Sequence, residues 1–392
     1  MLKKFITYSF FSIFITSCAT TPTLVAFSYE ELELSGADLS TKLNVNVVEM
    51  QPGLLDTDSA SREAGIWPEL RRAESRQFSV KLAKAFNDSN AFSNVNVTTS
   101  SAYITDIVIT GKIIVSNGED VHLQITARDS TNKKLIDKKT YKHRTNEYYF
   151  NNIRNKGIDP FDPIYRSVVG DVITALKKQD LEKIELTTNL RFASQLNENQ
   201  FYDALEKKNG YYELGFVPAS NDPMLLRSKN VQLKDLAFRN EMQKHYVQFA
   251  DEMEDSYGVW QKAAFSASKS KREAEAAAAA AAIVGALLVA AAASSAGDSY
   301  DDYSYGNIAA ASVGAALMVS AVGSSREAKV HENTINEVSL SFDGEIAPKV
   351  VEMEGLQIKL DGNIKDQFGK WQVVLQDIYE SESSQTNEFE VL

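Results

Sequence analysis

The sequence contains one cysteine and four histidines in 392 residues. That excludes a disulfide scaffold and a Cys/His zinc cluster. A basic excess is also missing: 41 Lys+Arg stand against 53 Asp+Glu, a net charge of −12. Nucleic-acid binders need cations to displace the counterions of a phosphate backbone, so no nucleic acid is expected as a partner. Catalytic signatures are lacking as well, with no HExxH, no GxSxG elbow, no P-loop and no dinucleotide glycine fingerprint. His122, His143, His245 and His331 lie far apart and share no motif. Asp298, Asp301 and Asp302 match no calcium-loop spacing and read as a solvated acidic turn. No catalytic residue, metal site or cofactor is therefore expected. What remains is globular composition, 44% hydrophobic and 24% charged. The length allows two or three domains at roughly 150 residues each.

The amino terminus has the layout of an export signal. Lys3 and Lys4 precede an apolar run from Phe5 to Ile15, too short to span a bilayer, which takes about 20 residues. Ile15-Thr16-Ser17-Cys18 follows, and this resembles the lipobox of bacterial lipoproteins. The resemblance implies cleavage before Cys18, acylation of its thiol, and a lipid anchor holding the mature chain on a membrane. Ala19 stands where that family's inner-membrane retention signal has Asp. The resemblance thus implies the periplasmic face of the outer membrane.

The pattern divides the chain into segments: signal peptide 1–17, tether 18–40, α/β domain 41–178, mainly helical region 179–272, hydrophobic helical hairpin 273–326, small β-sheet plus helix 327–382, and acidic tail 383–392. The fold class expected is α+β and multidomain. In the α/β domain, Leu43, Val45 and Val47 alternate as on a half-buried strand. Leu70, Phe78, Leu82, Ala85 and Phe86 keep helical spacing after Pro68. Asn94 to Thr98 reads as a short strand. Ile104 to Val115, almost continuously apolar, reads as a central strand buried on both faces. Val121 to Ala127 alternates after an Asn117-Gly118 turn, Leu135 to Lys142 is a weaker strand, and Phe161 to Lys177 a helix. The order is β-α-β-β-β-β-α. The runs TDIVITGKI (105–113) and VHLQITARD (121–129), then Lys134-Leu135, resemble the small periplasmic domain shared by the TolB amino-terminal domain, CsgG and LpoB. Asn132 stands where that domain's last turn has Gly.

Met242, Tyr246, Phe249, Met253, Tyr257 and Trp260 form a stripe at helical spacing, read as the buried side of a core helix rather than a ligand face. Then come two runs without charge, Ala276 to Ala296 and Ile308 to Ser325, joined by a tyrosine- and aspartate-rich loop. Alanine favours helix, so the pair reads as a helical hairpin. Only Ile283, Val284, Leu287, Leu288 and Val289 are strongly apolar in the first arm, so its insertion into lipid is marginal, about −1.5 to −3 kcal/mol. Ala281 with Gly285, and Ala310 with Gly314, sit four apart and would let helices pack closely. The layout resembles the glycine-zipper segments of some envelope lipoproteins, with Ala in place of most Gly. Membrane contact, packing inside a soluble oligomer and a plain linker all fit the hairpin. At the carboxyl end, Val338, Leu340 and Phe342 alternate as a strand, as do Leu356, Ile358 and Leu360. Ile364 to Ile378 is a covering helix.

The expected function is that of a non-enzymatic interaction or assembly factor of the cell envelope or a secretion system. Its partners would be the membrane, envelope proteins and further copies of itself in a homo-oligomer. An oligomeric export pore and an enzyme of unrecognised type remain as alternatives.

Overall fold

The computed structural model describes residues 42–295 except 153, 154, 156 and 157, then 326–344, 348–353 and 356–389, with backbone alone for 275, 277–295, 326–332, 342, 350–353, 356, 357 and 382–389. Within them the chain is mixed α/β. Strand β1 (Val45–Val48) leads to a short helix α1 (Asp58–Glu63) and then α2 (Pro68–Asp88). The Thr57 hydroxyl caps α1 by accepting from the Ala60 N–H, and Pro68 opens α2. Strands β2 (Val95–Thr98), β3 (Ile107–Ser116), β4 (Asp120–Asp129) and β5 (Lys134–Arg144) follow. Next come α3 (Glu147–Asn151) and α4 (Asp162–Leu176). The expected β-α-β-β-β-β-α order is present, with α1 and α3 added.

The five strands form one sheet in the order β2-β1-β3-β4-β5. β1 runs parallel to β2 and β3, while β3, β4 and β5 are antiparallel. Asn132, in the β4–β5 turn, has φ of 69°, the left-handed region that suits Gly or Asn. Val45, Val47, Val97, Ile107, Ile109, Ile113, Leu123 and Ile125 are all buried against α2 and α4, which cover one face.

The other face is covered over only half its width. Asn46 on β1 meets the long helix described below. Across β3, β4 and β5 that same face is open: Val108, Thr110, Lys112, Ile114, His122, Gln124, Thr126, Arg128, Thr140, Lys142 and Arg144 are all exposed or half-buried. β3 is therefore central but not buried on both faces. Its long apolar run misleads because Ile114, 43% exposed, lies on the open face, and an antiparallel sheet can leave one face in water.

After α5 (Leu181–Leu196, capped by Asp180) and α6 (Glu198–Phe201), a hairpin of β6 (Leu205–Lys208) and β7 (Tyr211–Leu214) interrupts the mainly helical region. Asn209 and Gly210 make its turn with φ of 52° and 85°, the pair of positive values a tight hairpin turn requires. The Asp222 carboxylate then accepts from the N–H groups of Met224 and Leu225 and starts helix α7 (Pro223–Ser295), 73 residues without a break. At 1.5 Å per residue it is about 110 Å long.

α7 passes the β2 edge, where Gln243 accepts from the Val97 N–H at 2.7 Å. It then meets the β3–β4 turn: a Cβ on Gly118 would lie 2.6 Å from the Phe265 nitrogen, so only glycine fits there, and φ is +83°. Among the described side chains of α7, the last tie to the sheet is Arg272 to Glu119, 2.8 Å. Met242, Tyr246, Phe249, Met253, Tyr257 and Trp260 are all buried, so the stripe belongs to the core.

Helix α8 (Arg326–Asp343) packs on α7 and α2. This corrects the strand expected over Val338, Leu340 and Phe342. Ile335 and Ser339 are buried with Val338 packed beside them while Leu340 is 63% exposed, a helical stripe that mimics alternation over a short window. The strand that pairs with β9 (Leu356–Leu360) is instead β8 (Lys349–Met353). Helix α9 (Ile364–Phe389) ends the described chain and carries Phe368, Trp371, Leu375 and Ile378 into the core. The buried apolar cluster runs from Leu43 to Tyr379.

Candidate functional site

Helix α2, the amino end of α4 and the middle of α7 enclose a cleft of about 750 Å³. Lys81 reaches into it from α2. Its Nζ lies 2.8 Å from Asp159 Oδ2 and 2.9 Å from Glu254 Oε2. Burial disfavours the ammonium, but the two carboxylates outweigh it and hold the Lys81 pKa above 10.5. Arg166 pairs with Asp162 at 2.5 Å on the α4 wall. Tyr165 also lines the cleft, is buried, and has a hydroxyl without a hydrogen-bond partner. Burial, helped by Asp159, pushes its pKa well above 10.0. At neutral pH the lysine is thus cationic and the phenol protonated. Neither is a free nucleophile or base at that pH.

A second set of polar groups lies under α7. Glu74 on α2 is fully buried, pairs with Arg71 Nε at 3.1 Å, and accepts from the hydroxyls of Ser116 at 2.5 Å and Tyr257 at 2.9 Å. Asp235 pairs with Arg239 at 2.8 Å and accepts from Trp371 Nε1 at 3.1 Å. Arg239 also donates to Asn46 Oδ1 at 3.1 Å, and Tyr246 donates to Glu49 at 2.7 Å. Burial raises the carboxyl pKa of Glu74, Asp235 and Glu49 above the ordinary values, with Arg71, Arg239 and the Tyr246 hydrogen bond respectively opposing it most. Buried pairs of this kind add little net stability, because desolvation offsets their attraction. They do penalise every alternative placement of α7, since a slipped helix leaves a charge buried and unpaired.

The groups singled out in the sequence fall differently. Cys18, Ala310, Gly314 and Asp298, Asp301 and Asp302 lie outside the described residues. Ala281 and Gly285 sit on the helical backbone of α7, about one turn apart, with their side chains outside the description. His122, His143 and His245 lie on β4, β5 and α7, and burial lowers each pKa below 6.5. Among the described residues no group of His, Cys, Asp and Glu could hold a metal ion. Among them too, no helix is long and apolar enough to cross a membrane. Sequence reasoning missed the set Lys81, Asp159 and Glu254, whose members lie far apart along an already charged chain. No protein-family model, curated protein or solved structure matches the chain.

Proposed function

We propose that this chain is a non-enzymatic lipoprotein of the bacterial envelope, acylated at Cys18 and held on the periplasmic face of the outer membrane, where it serves as an interaction or assembly factor. One feature carries this reading. α7 is seated in the body by Arg239, Tyr246, Tyr257 and Arg272, and then continues as helical backbone through the uncharged run to Ser295. From Glu273 to Ser295 its backbone runs on for about 35 Å beyond Arg272, the last of its described side chains to meet the sheet. A folded head on such a helix can present partner surfaces at a fixed orientation while the alanine-rich segment meets lipid or other copies. The lipobox resemblance at Cys18 adds the second attachment.

The test joins two measurements. Labelling in cells with a palmitate analogue should mark the parent and leave Cys18→Ser unmarked; label retained by the mutant refutes the anchor. Replacing residues 276–325 by a short Gly/Ser linker should turn the detergent-solubilised oligomer into a monomer whose melting temperature matches the parent. An unchanged mass refutes the association role.

A further inference from the structure

The open face of β3, β4 and β5 differs in charge from the rest of the molecule. Across it, register places Lys112 beside Gln124 and Thr140, His122 beside Lys142, and Asp120 beside Arg144. Arg128 lies on the same face of β4. The cations are thus Lys112, Arg128, Lys142 and Arg144, with Lys134 on β5 opposite Arg128. Two carboxylates share the face and both are paired, Asp120 with Arg144 through contacts of 2.7 and 2.8 Å and Asp137 with Lys134 at 2.6 Å. The remaining side chains are uncharged Thr, Gln and His with Val108 and an exposed Ile114, while the whole chain carries −12. The face is also broad. Neighbouring strands lie about 4.8 Å apart and each strand rises about 3.3 Å per residue, so it presents a platform and not a groove. A solvent-facing sheet needs polar residues, but an acidic protein does not need them to carry an excess of cations, here five against two carboxylates.

We propose that this face docks the protein onto a membrane surface of anionic phospholipid headgroups. Charge complementarity selects phosphate-bearing headgroups over the protein's own predominantly acidic surface. A flat array of cations around one exposed aliphatic side chain fits a planar interface. The proposal rests on the membrane-anchored reading above. It adds that the head lies against the bilayer through one sheet face, leaving the cleft and the β6–β7 hairpin free for other partners.

The test uses the mature chain from residue 18 with Ser in place of Cys18, so that no acyl chain contributes. Binding is measured by co-sedimentation with vesicles of phosphatidylcholine alone or with phosphatidylglycerol added. The parent should bind the anionic vesicles at least ten-fold more tightly, and the difference should shrink as salt is raised. Lys112→Gln with Lys142→Gln should weaken anionic binding about 25-fold, or about 5-fold per cation removed, with unchanged melting temperature. Lys207→Gln with Lys208→Gln, on the β6–β7 hairpin, removes the same charge and should have no such effect. Equal binding of the parent to both vesicles, or equal losses in the two double variants, overturns the proposal. So does a soluble polyaspartate peptide that binds the parent and not the Lys112/Lys142 variant while anionic vesicles do not discriminate; the surface would then serve an acidic protein. Acylation of Cys18 is read independently by labelling in cells, so failure of the anchor and failure of the docking face give different results.

Discussion

The first fifty residues of α7 and its last twenty or so share one backbone and differ in nearly everything else. From Pro223 to Arg272 the helix contains Tyr246, Phe249, Tyr257, Gly258 and Trp260, none of them a strong helix former. Core packing and buried polar contacts hold that part. From Ala276 onward the sequence is mainly alanine, which needs no tertiary partner to favour helix. The comparison teaches that helical continuity can have two sources within one element. One part derives its position from the body, and the other derives its conformation from its own residues. Mutations in the two parts should therefore affect different measurements.

The largest separation comes from a buried charge. Met253 is fully buried, and Met253→Asp should cost more than ~5 kcal/mol, comparable with the whole stability of a domain. Circular dichroism should show the body unfolded or its melting point more than ~10 °C lower. Leu288→Asp places the same charge in the uncharged run, and the melting point should stay within about 2 °C. Equal losses would contradict two sources.

Next in size is the removal of a buried ion-pair partner. Arg239→Met leaves Asp235 without its cation and Asn46 without a donor, at a cost of about 3–5 kcal/mol by denaturant titration. Replacing Asp235 and Arg239 together by Leu and Met should restore most of it, because no charge is then stranded.

A smaller effect concerns pH. The Glu74 carboxyl pKa is raised above 4.5 in the folded protein, chiefly by burial. A raised folded value means that the native state binds the proton more tightly than the unfolded chain. Glu74 therefore contributes stability that is fully present below its unfolded pKa and is lost as pH rises through its folded pKa. Glu49 and Asp235 act in the same direction. Melting temperatures measured across the acid range should give a shallower pH dependence for Glu74→Gln than for the parent. An identical profile would show that Glu74 titrates normally.

The smallest effect on stability is expected where association should change most. Gly285→Leu with Gly314→Leu should leave the melting point of the body unchanged while lowering the mass of the detergent-solubilised protein in light scattering. A parent already monomeric, or a double variant of unchanged mass, would remove close helix packing from the account.

Much of the sheet was legible because its strands keep period two and α2 keeps helical spacing after Pro68. The β6–β7 hairpin escaped notice because LEKK and YYEL are short and polar, although Asn209-Gly210 is the turn signal such hairpins carry. α8 was misread because three apolar residues two apart suit either period when the window is five residues long. The length of α7 was hidden by its change of composition near residue 273. The cleft was the least legible part. Lys81, Asp159 and Glu254 are unremarkable in an acidic chain, and only the packing of α2, α4 and α7 brings them together. The open sheet face left a trace in the sequence, the cations at 112, 128, 134, 142 and 144, but membership of a face depends on register, which single residues do not reveal: Lys139, among them in sequence, turns to Asp171 on α4.

The seat of α7 has a consequence for how the protein reaches its native state. Arg239 meets Asn46 across 193 residues of chain, Tyr246 meets Glu49 across 197, and Arg76 on α2 bonds Ser339 on α8 across 263. Half of the second sheet face therefore stays uncovered until material some two hundred residues later has been synthesised and delivered. Such sequence-distant closure slows folding, because loop entropy is lost before the contacts form. During that interval β2 has no helix along its outer edge, and Asn46 lacks the Arg239 donor that meets it in the native state. Refolding from denaturant should accordingly pass through a compact intermediate with α2 and α4 on the sheet and α7 undocked, and this is the species that would recruit a holding chaperone.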